Sequence, residues 1–294
     1  MARRTIGILV VAMALTAVLA EGAAAQPPPT LGGGLLAQAG PLRTYTPSVN
    51  LSLQPRGARI AMLFDTSVRC GRDTIDVSGS GEAPFDGTSF TFKGASLRRL
   101  GRGRVTAEWT VTGQMSGPAA AGGSLHIVGV RRVSGRTRRC AVKPDRAFQV
   151  RLAGPLAGGA ARPQPRAFYG GTSSYVIFNG MQAPVMLRAT GDGRKLAAQW
   201  VIAGKCGRGP RDHFVNFTPA MTVRADGTFS RAERFSIRYA DVLIRYRPSF
   251  AGRLSSDGAT GTLRLGTRIY NRRGTRLLTR CDSGLRSWNA APAG

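Results

Sequence analysis

Apolar side chains recur at every second position in two separated stretches of the chain. Between residues 60 and 70 the alternation is broken only at Thr66, and it recurs between residues 196 and 206. A period of two places one apolar face, and the cysteine that ends each stretch, on the same side of a β-strand. A large aromatic residue, Phe64 or Trp200, lies six positions before each cysteine. The pattern predicts two strands with an aromatic side chain in the core beside a cystine.

Turn-forming residues recur at matching places in the two halves of the chain and separate many further short strands. Asp86-Gly87 and Asp226-Gly227 occupy matching places, and both residue types tolerate the positive φ of tight hairpin turns. A calcium loop is the alternative for these turns, but its alternating Asp/Asn ligands and closing Glu are missing. No ten-residue stretch after residue 25 keeps a helical apolar period. We therefore predict an all-β fold of two tandem antiparallel β-sandwich or flattened β-barrel domains, with one disulfide each. In the second half the predicted strands are 185–187, 196–202, 214–217, 228–230, 235–239, 242–247, 260–265 and 286–288.

An internal repeat divides the chain. The segment 252–288 contains Gly-Thr-Leu-Arg-Leu, an arginine run, Arg-Cys and then Trp288, and 113–148 contains Gly-Ser-Leu-His-Ile, an arginine run, Arg-Cys and then Phe148. Copy two opens with Tyr169-Gly-Gly-Thr, of which copy one keeps a trace around Thr44-Tyr45. We predict a flexible arm at 26–42, β-domain copy one at 43–152, a Gly/Ala/Pro-rich linker at 153–166 and β-domain copy two at 167–294.

The first 25 residues have the organisation of a signal peptide. Arg3 and Arg4 form a positive start, residues 6–20 are almost uninterruptedly apolar, and Ala23-Ala24-Ala25 offers small residues for cleavage. An uncleaved anchor is the alternative, although the apolar run is shorter than the ~20 residues that a bilayer requires. We expect a secreted or cell-surface protein with no transmembrane span in the mature chain.

Four cysteines in an exported chain predict two disulfides with three possible connectivities. The repeat selects among them, because Cys70 and Cys206 each precede Gly-Arg whereas Cys140 and Cys281 each follow Arg. The expected pairs are therefore Cys70 with Cys140 and Cys206 with Cys281. A zinc site and cross-domain pairing are the alternatives, and no Cys-x-x-Cys spacing supports zinc.

The copy-two residues resemble a secreted β-domain that is common in high-GC actinobacteria. The resemblance rests on Tyr169-Gly-Gly-Thr, Trp200 to Cys206, Asp226-Gly-Thr-Phe, and Cys281-Asp-Ser-Gly before Trp288-x-Ala290. It covers 168–290 well and 43–152 loosely, since copy one lacks the Ser-Gly after its cysteine and has Phe148 for the tryptophan. The shared residues are glycines, cysteines and core aromatics. The resemblance therefore implies fold and export and assigns no catalytic residue.

The sequence is poor in the titratable groups that an enzyme needs. His126 falls at an outward position, and the neighbour of His213, Asp212, points to the opposite face of a strand. No spacing nominates a carboxylate pair, and no nucleophile elbow or phosphate-binding loop is present. We expect no catalytic residue, no metal and no cofactor. A secreted glycan-acting hydrolase with an unrecognised carboxylate site is the alternative.

Charge points to a different class of function. The formal net charge is +27, carried mainly by arginine, and a surplus of this size attracts polyanions. Arginine runs lead to the second cysteine of each copy, where a hairpin would gather them at one rim. We predict that these runs bind an anionic glycan, wall polymer or other surface component, with nucleic acid as a further possibility. A solvated hairpin is the alternative. The candidate residues are Arg131, Arg132, Arg136, Arg138, Arg139, Arg268, Arg272, Arg273, Arg276 and Arg280.

Overall fold

The structure is a computed structural model, and it consists of β-strands and their connections. It describes residues 29–35, 49–70, 73–100, 103–133, 136–141, 145–154, 156, 158–177, 180–207, 212–238 and 241–293. The predicted signal peptide and the Thr44-Tyr45 trace lie outside these ranges. Within them no α-helix is found, and therefore no helix that would span a bilayer. The all-β prediction is confirmed.

Nine strands of the first half form one antiparallel sheet, which we call the first barrel. They are β1 (Leu31–Leu35), β2 (Val49–Arg56), β3 (Arg59–Cys70), β4 (Asp73–Pro84), β5 (Ser89–Leu100), β6 (Gly103–Met115), β7 (Ala120–Val133), β8 (Arg136–Ala141) and β9 (Arg146–Arg151). Their order is β4-β3-β2-β1-β9-β7-β6-β5, and β8 pairs with β7 outside this path. The outer strands β4 and β5 lie against each other, where the Ser96 hydroxyl donates to the Ser78 carbonyl. The sheet thus curls into a nearly closed up-and-down barrel.

The second half forms a ten-stranded antiparallel sheet with the same topology, the second barrel. Its strands are β10 (Phe168–Val176), β11 (Gln182–Ala189), β12 (Lys195–Cys206), β13 (Asp212–Thr222), β14 (Thr228–Ala232), β15 (Phe235–Arg238), β16 (Val242–Ser255), β17 (Gly258–Asn271), β18 (Leu277–Asp282) and β19 (Arg286–Ala293). The order is β13-β12-β11-β10-β19-β17-β16-β14, while β15 pairs with β16 and β18 pairs with both β12 and β17. Strands β1 to β4 therefore correspond to β10 to β13, and β6 to β9 correspond to β16 to β19.

Each barrel interior is filled by the apolar face that the alternation predicts. Phe64 and Trp200 are fully buried at corresponding places, opposite Leu51 in the first barrel and Val185 in the second. Phe64 meets Trp109 edge to face, with ring centroids 5.1 Å apart. In the second barrel the aromatic stack continues through Phe250 to Trp288. Aromatic side chains therefore occupy the space that a wider barrel of this topology would leave for a ligand.

Close packing around Trp288 depends on a glycine. A Cβ at Gly261 would lie 2.0 Å from the carbonyl oxygen of Ala251 and 2.7 Å from the ring of Trp288. Both the neighbouring backbone and the ring thus require the absence of a side chain. The glycine of the Gly-Thr-Leu motif therefore serves the packing of the core.

One end of each barrel carries its cystine, and we call it the disulfide end. Cys206 and Cys281 are cross-strand partners and form a disulfide, which confirms that predicted pair. Because β18 pairs with both β12 and β17, it spans this end of the second barrel. Cys140 is buried and disulfide-bonded, but the side chain of Cys70 is outside the described part, so its pairing with Cys140 stays a prediction.

The Asp-Gly turns lie at the opposite end of each barrel, where β4 passes into β5 and β13 into β14. Asp86 accepts hydrogen bonds from the backbone amides of Thr88 and Ser89, both at 2.7 Å, and from both hydroxyls. Asp226 accepts from the amide and hydroxyl of Thr228. The carboxylates of Asp86 and Asp226 therefore accept hydrogen bonds within their own turns, as expected for Asp-Gly turns.

We expect Asp86→Ala to weaken the acid sensitivity of unfolding. Hydrogen bonds from the backbone of Ser89 and Thr88 lower the pKa of Asp86 far below its ordinary value near 3.8. A carboxyl whose folded pKa is depressed stabilises the protein above its unfolded pKa, and this stability is lost as the pH falls below about 4. The variant should lower the Tm at pH 6 but lose less further stability between pH 4 and pH 2. Glu108→Ala, which removes an exposed carboxylate without a described hydrogen bond, serves as the control, and the same pH profile in both variants would contradict the expectation.

The structure corrects the predicted arm. Leu31–Leu35, inside the segment 26–42, is strand β1, which pairs with β2 on one side and β9 on the other. Leu31-Gly32-Gly33 takes the place that Tyr169-Gly170-Gly171 holds in the second barrel, because Leu31 pairs with Leu53 as Tyr169 pairs with Leu187. The counterpart of the Tyr-Gly-Gly opening is therefore β1, and the first sheet begins before residue 43.

The two barrels pack through these glycine strands. A Cβ at Gly32 would lie 1.9 Å from the carbonyl oxygen of Gly171, and one at Gly33 would lie 3.3 Å from the Cα of Gly170. Gly32 corresponds to Gly170 and Gly33 to Gly171, so the contact joins the two equivalent glycine pairs crosswise. The strands β1 and β10 run in opposite directions across it, so the two disulfide ends face opposite ways.

Polar groups complete the contact between the barrels. The Ser52 hydroxyl donates to the carbonyl of Gln182 at 2.8 Å, and the Gln182 amide donates to the hydroxyl of Thr30 at 3.4 Å. Met186 and Ala197 are fully buried although they lie outside the main core of the second barrel. The outer faces of β1 and β2 thus cover the outer faces of β10 to β12.

The predicted linker is held along the second barrel. Ala160 bridges to Ser255, and the Ala161 amide donates to the carbonyl of Leu254 at 3.2 Å. The Arg166 amide donates to the carbonyl of Thr190 at 3.1 Å. The described part of this segment therefore runs across the end opposite Cys206 as an ordered connection.

Candidate functional site

The predicted arginines of the second copy lie at the β17–β18 hairpin, on the disulfide end. Arg268 on β17 and Arg280 on β18 are direct cross-strand partners. Arg272, Arg273 and Arg276 lie in the turn that joins the two strands, and all three are exposed. The structure thus brings these five residues to one end of the barrel.

Strand register adds a residue that the sequence prediction missed. Arg245 on β16 is the cross-strand partner of Arg268. Arg245, Arg268 and Arg280 therefore stand side by side on three adjacent strands, and we call them the arginine row. They lie on the outer face, because their neighbours Ile244, Thr267 and Cys281 are buried in the barrel. Adjacent strands are about 4.8 Å apart, so the row spans roughly 10 Å.

An aromatic side chain borders the arginine row. The guanidinium carbon of Arg245 lies 4.6 Å from the centre of the Tyr270 ring, a cation–π contact. Tyr270 is flanked across the sheet by Leu243 and Leu277. Arg247, exposed on β16, lies on the same face two residues from Arg245. The alternation Leu243-Ile244-Arg245-Tyr246-Arg247 was a signal for these outward arginines, but only the register shows which arginines they join.

Asp282, the acidic residue that lies nearest to the arginine row along β18, already forms a salt bridge. Asp282 accepts hydrogen bonds from the guanidinium of Arg264 at 2.5 and 3.1 Å. This hydrogen bonding from Arg264, together with its charge, lowers the pKa of Asp282, so the pair stays ionised at neutral pH. Among the described residues no carboxylate pairs with Arg245, Arg268 or Arg280.

Like charges in direct cross-strand register repel each other, which destabilises the sheet. An anionic ligand laid across the row would remove that repulsion and gain charge-assisted hydrogen bonds. The row therefore has the electrostatic character of a binding face more than that of a structural element.

The first barrel gathers its arginine run at the disulfide end by the same hairpin. Arg131 on β7 is the cross-strand partner of Arg138 on β8, and Val133 is the partner of Arg136. Arg132 and Arg139 are exposed. The predicted rim therefore exists in the strand register of both barrels, although the side chains of Arg131, Arg136 and Arg138 lie outside the described part. Because the disulfide ends face opposite ways, the ten candidates form two separate rims.

In the first barrel, strand register places further arginines beside the predicted arginine run. Arg132 is the partner of Arg104 on β6, and Arg104 is the partner of Arg99 on β5. This line is shifted along the strands from the arginine row of the second barrel. The repeat therefore conserves the charged end without conserving each position.

The histidines do not form a catalytic centre in the described residues. His126 Nδ1 lies 2.6 Å from Asp145 Oδ1, and both side chains are about half exposed. The residue at the corresponding place on β17 is Arg264, which pairs with Asp282. The side chain of His213 lies outside the described part.

Two glutamates with described contacts each form salt bridges with nearby arginines. Glu82 pairs with Arg56 and Arg59, and Glu233 pairs with Arg231. No group of three or more His, Cys, Asp or Glu side chains that could hold a metal ion occurs in the described ranges. One cleft of about 440 Å³ opens beside Phe85 at the Asp-Gly end of the first barrel, and the carboxylate in its lining is Asp86, which caps the turn.

Comparison with known proteins leaves the function open. No family model matches the chain, and no curated protein matches it. A search of solved structures finds kievitone hydratase from Nectria haematococca, with 8% identity, a TM-score of 0.19, and coverage of 89% of this chain and 88% of that one. Similarity at this level establishes neither a shared fold nor a shared activity.

Proposed function

We propose that this chain is an exported, non-enzymatic protein that binds polyanionic cell-surface components through its disulfide ends. The observation that carries the proposal is the arginine row of Arg245, Arg268 and Arg280, three cations in register without a described acidic partner. The disulfide of the second barrel supports the extracytoplasmic location, since such bonds persist in oxidising compartments.

The shape of the face favours an extended ligand over a small one. The row lies on the outer surface of a barrel whose interior is filled by aromatic side chains. Small substrates bind in concave sites that enclose them, whereas a polymer gains contacts along an open surface. Each guanidinium can donate in a planar fork to a sulfate, phosphate or carboxylate of such a polymer.

The acidic residues also support binding over hydrolysis. A glycosidase needs two carboxyl groups facing each other across the substrate. Three of the described carboxylates, Asp86, Asp226 and Asp282, are engaged in turn closure or a salt bridge. The arrangement favours polyanion binding as the main function.

The triple variant Arg245→Ser, Arg268→Ser, Arg280→Ser should elute from immobilised heparin at lower salt than the unaltered chain. Each neutralised anionic group contributes about 0.7–0.9 to the slope of log K against log salt, so the loss of three arginines should reduce that slope by roughly 2 to 3. The measurement is the elution salt together with affinity at several salt concentrations, on heparin and on isolated wall polymer.

A matched triple variant removes equal charge from the opposite end of the same barrel. Arg194→Ser, Arg224→Ser, Arg253→Ser replaces three exposed arginines there. A clearly smaller loss in this control is expected. Equal losses in the two variants would mean that retention follows net charge, and the proposed face would be rejected.

A further inference from the structure

Exposed leucines accompany the arginines at the disulfide end of the second barrel. Leu277 and Leu278, at the start of β18, are 37% and 46% exposed. Val176, which ends β10 at the same end of the barrel, is 45% exposed. Large apolar side chains in water lose the hydrophobic stabilisation that burial would provide. Their concentration at the charged end points to a surface with an apolar component.

The leucines lie beside an ordered turn. The Asn271 amide donates to the Arg276 carbonyl at 2.9 Å, and the Gly274 amide donates back to the Asn271 carbonyl at 2.8 Å. The side-chain oxygen of Asn271 accepts from the amides of Thr275 and Arg276 at 3.0 and 3.2 Å. The guanidinium of Arg238 donates to the Arg272 carbonyl at 3.2 Å. The exposure of Leu277 and Leu278 thus belongs to a hydrogen-bonded hairpin and not to a frayed end.

Cations surround the leucines in sequence and in the sheet. Arg272, Arg273 and Arg276 precede them in the turn, and Arg280 follows them on β18. No salt bridge engages these four arginines in the part of the chain that the structure describes. Tyr270 lies opposite Leu277 on β17. The hairpin therefore combines apolar side chains, an aromatic ring and arginines that form no described salt bridge.

This combination matches the chemistry of an anionic lipid bilayer. Leucines are suited to the boundary between headgroups and acyl chains, and tyrosine to the headgroup level. Long arginine side chains reach the lipid phosphates from beside the apolar anchor, and basic residues close to an anionic leaflet are attracted by its negative surface potential. A glycan or a nucleic acid backbone would use the arginines but would leave Leu277 and Leu278 in water.

We propose that the β17–β18 hairpin of the second barrel docks on anionic lipid bilayers, with Leu277 and Leu278 as the apolar anchor. This inference rests on the proposed function, because it names the polyanionic surface that the disulfide end recognises. The arginine row supplies electrostatic attraction, and the leucines supply the part of the binding that salt does not weaken.

The test is sedimentation of the full chain with vesicles of phosphatidylglycerol and phosphatidylcholine, compared with pure phosphatidylcholine. We expect binding to the anionic vesicles and little to the neutral ones. Leu277→Ser with Leu278→Ser should weaken partitioning by about tenfold, because the exposed parts of the two side chains together offer about the apolar area of one leucine. The same variant should elute from heparin at unchanged salt, because it loses no charge.

The control Leu97→Ser with Leu152→Ser removes two exposed leucines of the first barrel, 60% and 38% exposed, and should bind vesicles normally. Unaltered vesicle binding by the hairpin variant would overturn the inference. Retention on heparin or single-stranded DNA without vesicle binding would also overturn it, and would leave the proposed function standing with a soluble polyanion as ligand. Absence of all three kinds of binding would reject both proposals.

Discussion

Replacing Gly32 by alanine should separate the two barrels. The added Cβ would lie 1.9 Å from the carbonyl oxygen of Gly171 and 2.6 Å from its carbonyl carbon. These are backbone atoms of a paired strand, so they cannot move aside as a flexible side chain would. Overpacking typically costs about 1–3 kcal/mol, and we expect the upper end here, with a fall in Tm of about 6–12 °C. Scanning calorimetry should show the loss, and small-angle scattering should show a larger radius of gyration.

Alanine variants of two other glycines serve as controls for this expectation. Gly81→Ala places a Cβ in open space on β4 of the same barrel and should leave both the Tm and the radius of gyration nearly unchanged. Gly171→Ala instead directs its Cβ at the carbonyl oxygen of Asn289, at 1.9 Å, inside the second sheet. That variant should damage the second barrel itself. A Gly32→Ala protein with the dimensions and Tm of the unaltered chain would show that the barrels are held by other contacts.

Removing the Cys206–Cys281 disulfide should have the largest effect on the second barrel. The bond joins residues 75 positions apart, and on the chain-entropy model a loop of this length stabilises the fold by roughly 4 kcal/mol. The Cys206→Ser, Cys281→Ser variant should therefore unfold at much lower denaturant concentration. Because β18 pairs with β12 only near this bond, Arg280 should also lose its fixed place beside Arg268. Denaturant unfolding and heparin elution of the same sample measure both effects.

Reduction of the unaltered chain breaks this bond together with the disulfide of Cys140 in the first barrel. It should therefore cost at least as much stability as the variant and should also lower heparin retention. A loss of stability below about 1 kcal/mol would contradict the expectation and would show that pairing of β18 with β17 suffices. Full heparin retention by a clearly destabilised variant would instead place the binding face away from β18.

The fold class and the disulfide-linked strands could be predicted because their signals are local or repeated. Alternation in 60–70 and 196–206 reports directly which side chains enter the core, since side-chain direction in a strand has a period of two. Comparison of the two copies selected the pairing of Cys206 with Cys281, which the structure contains. The Asp-Gly turns were recognisable because closure of the turn by Asp86 involves residues only two or three positions away.

Strand β1 could not be predicted in the same way. Its Gly32-Gly33-Gly34 run has no side chains to display alternation, and its composition is that of a flexible arm. Glycine is required there because another barrel's backbone approaches within contact distance, at Gly170 and Gly171. That requirement arises only after both barrels have formed.

The candidate site, too, could be predicted only in part from the sequence. By itself the sequence determined that arginines collect before the second cysteine of each copy, since a run along one hairpin is visible locally. Only the tertiary structure decided that Arg245 joins Arg268 and Arg280 and that Tyr270 borders them. The contact between the glycine strands decided how the two charged ends are directed. Register between strands that are distant in the sequence is set by packing of the shared core and by the hydrogen-bonded ladder. No residue-by-residue pattern records which outward side chains that ladder places side by side.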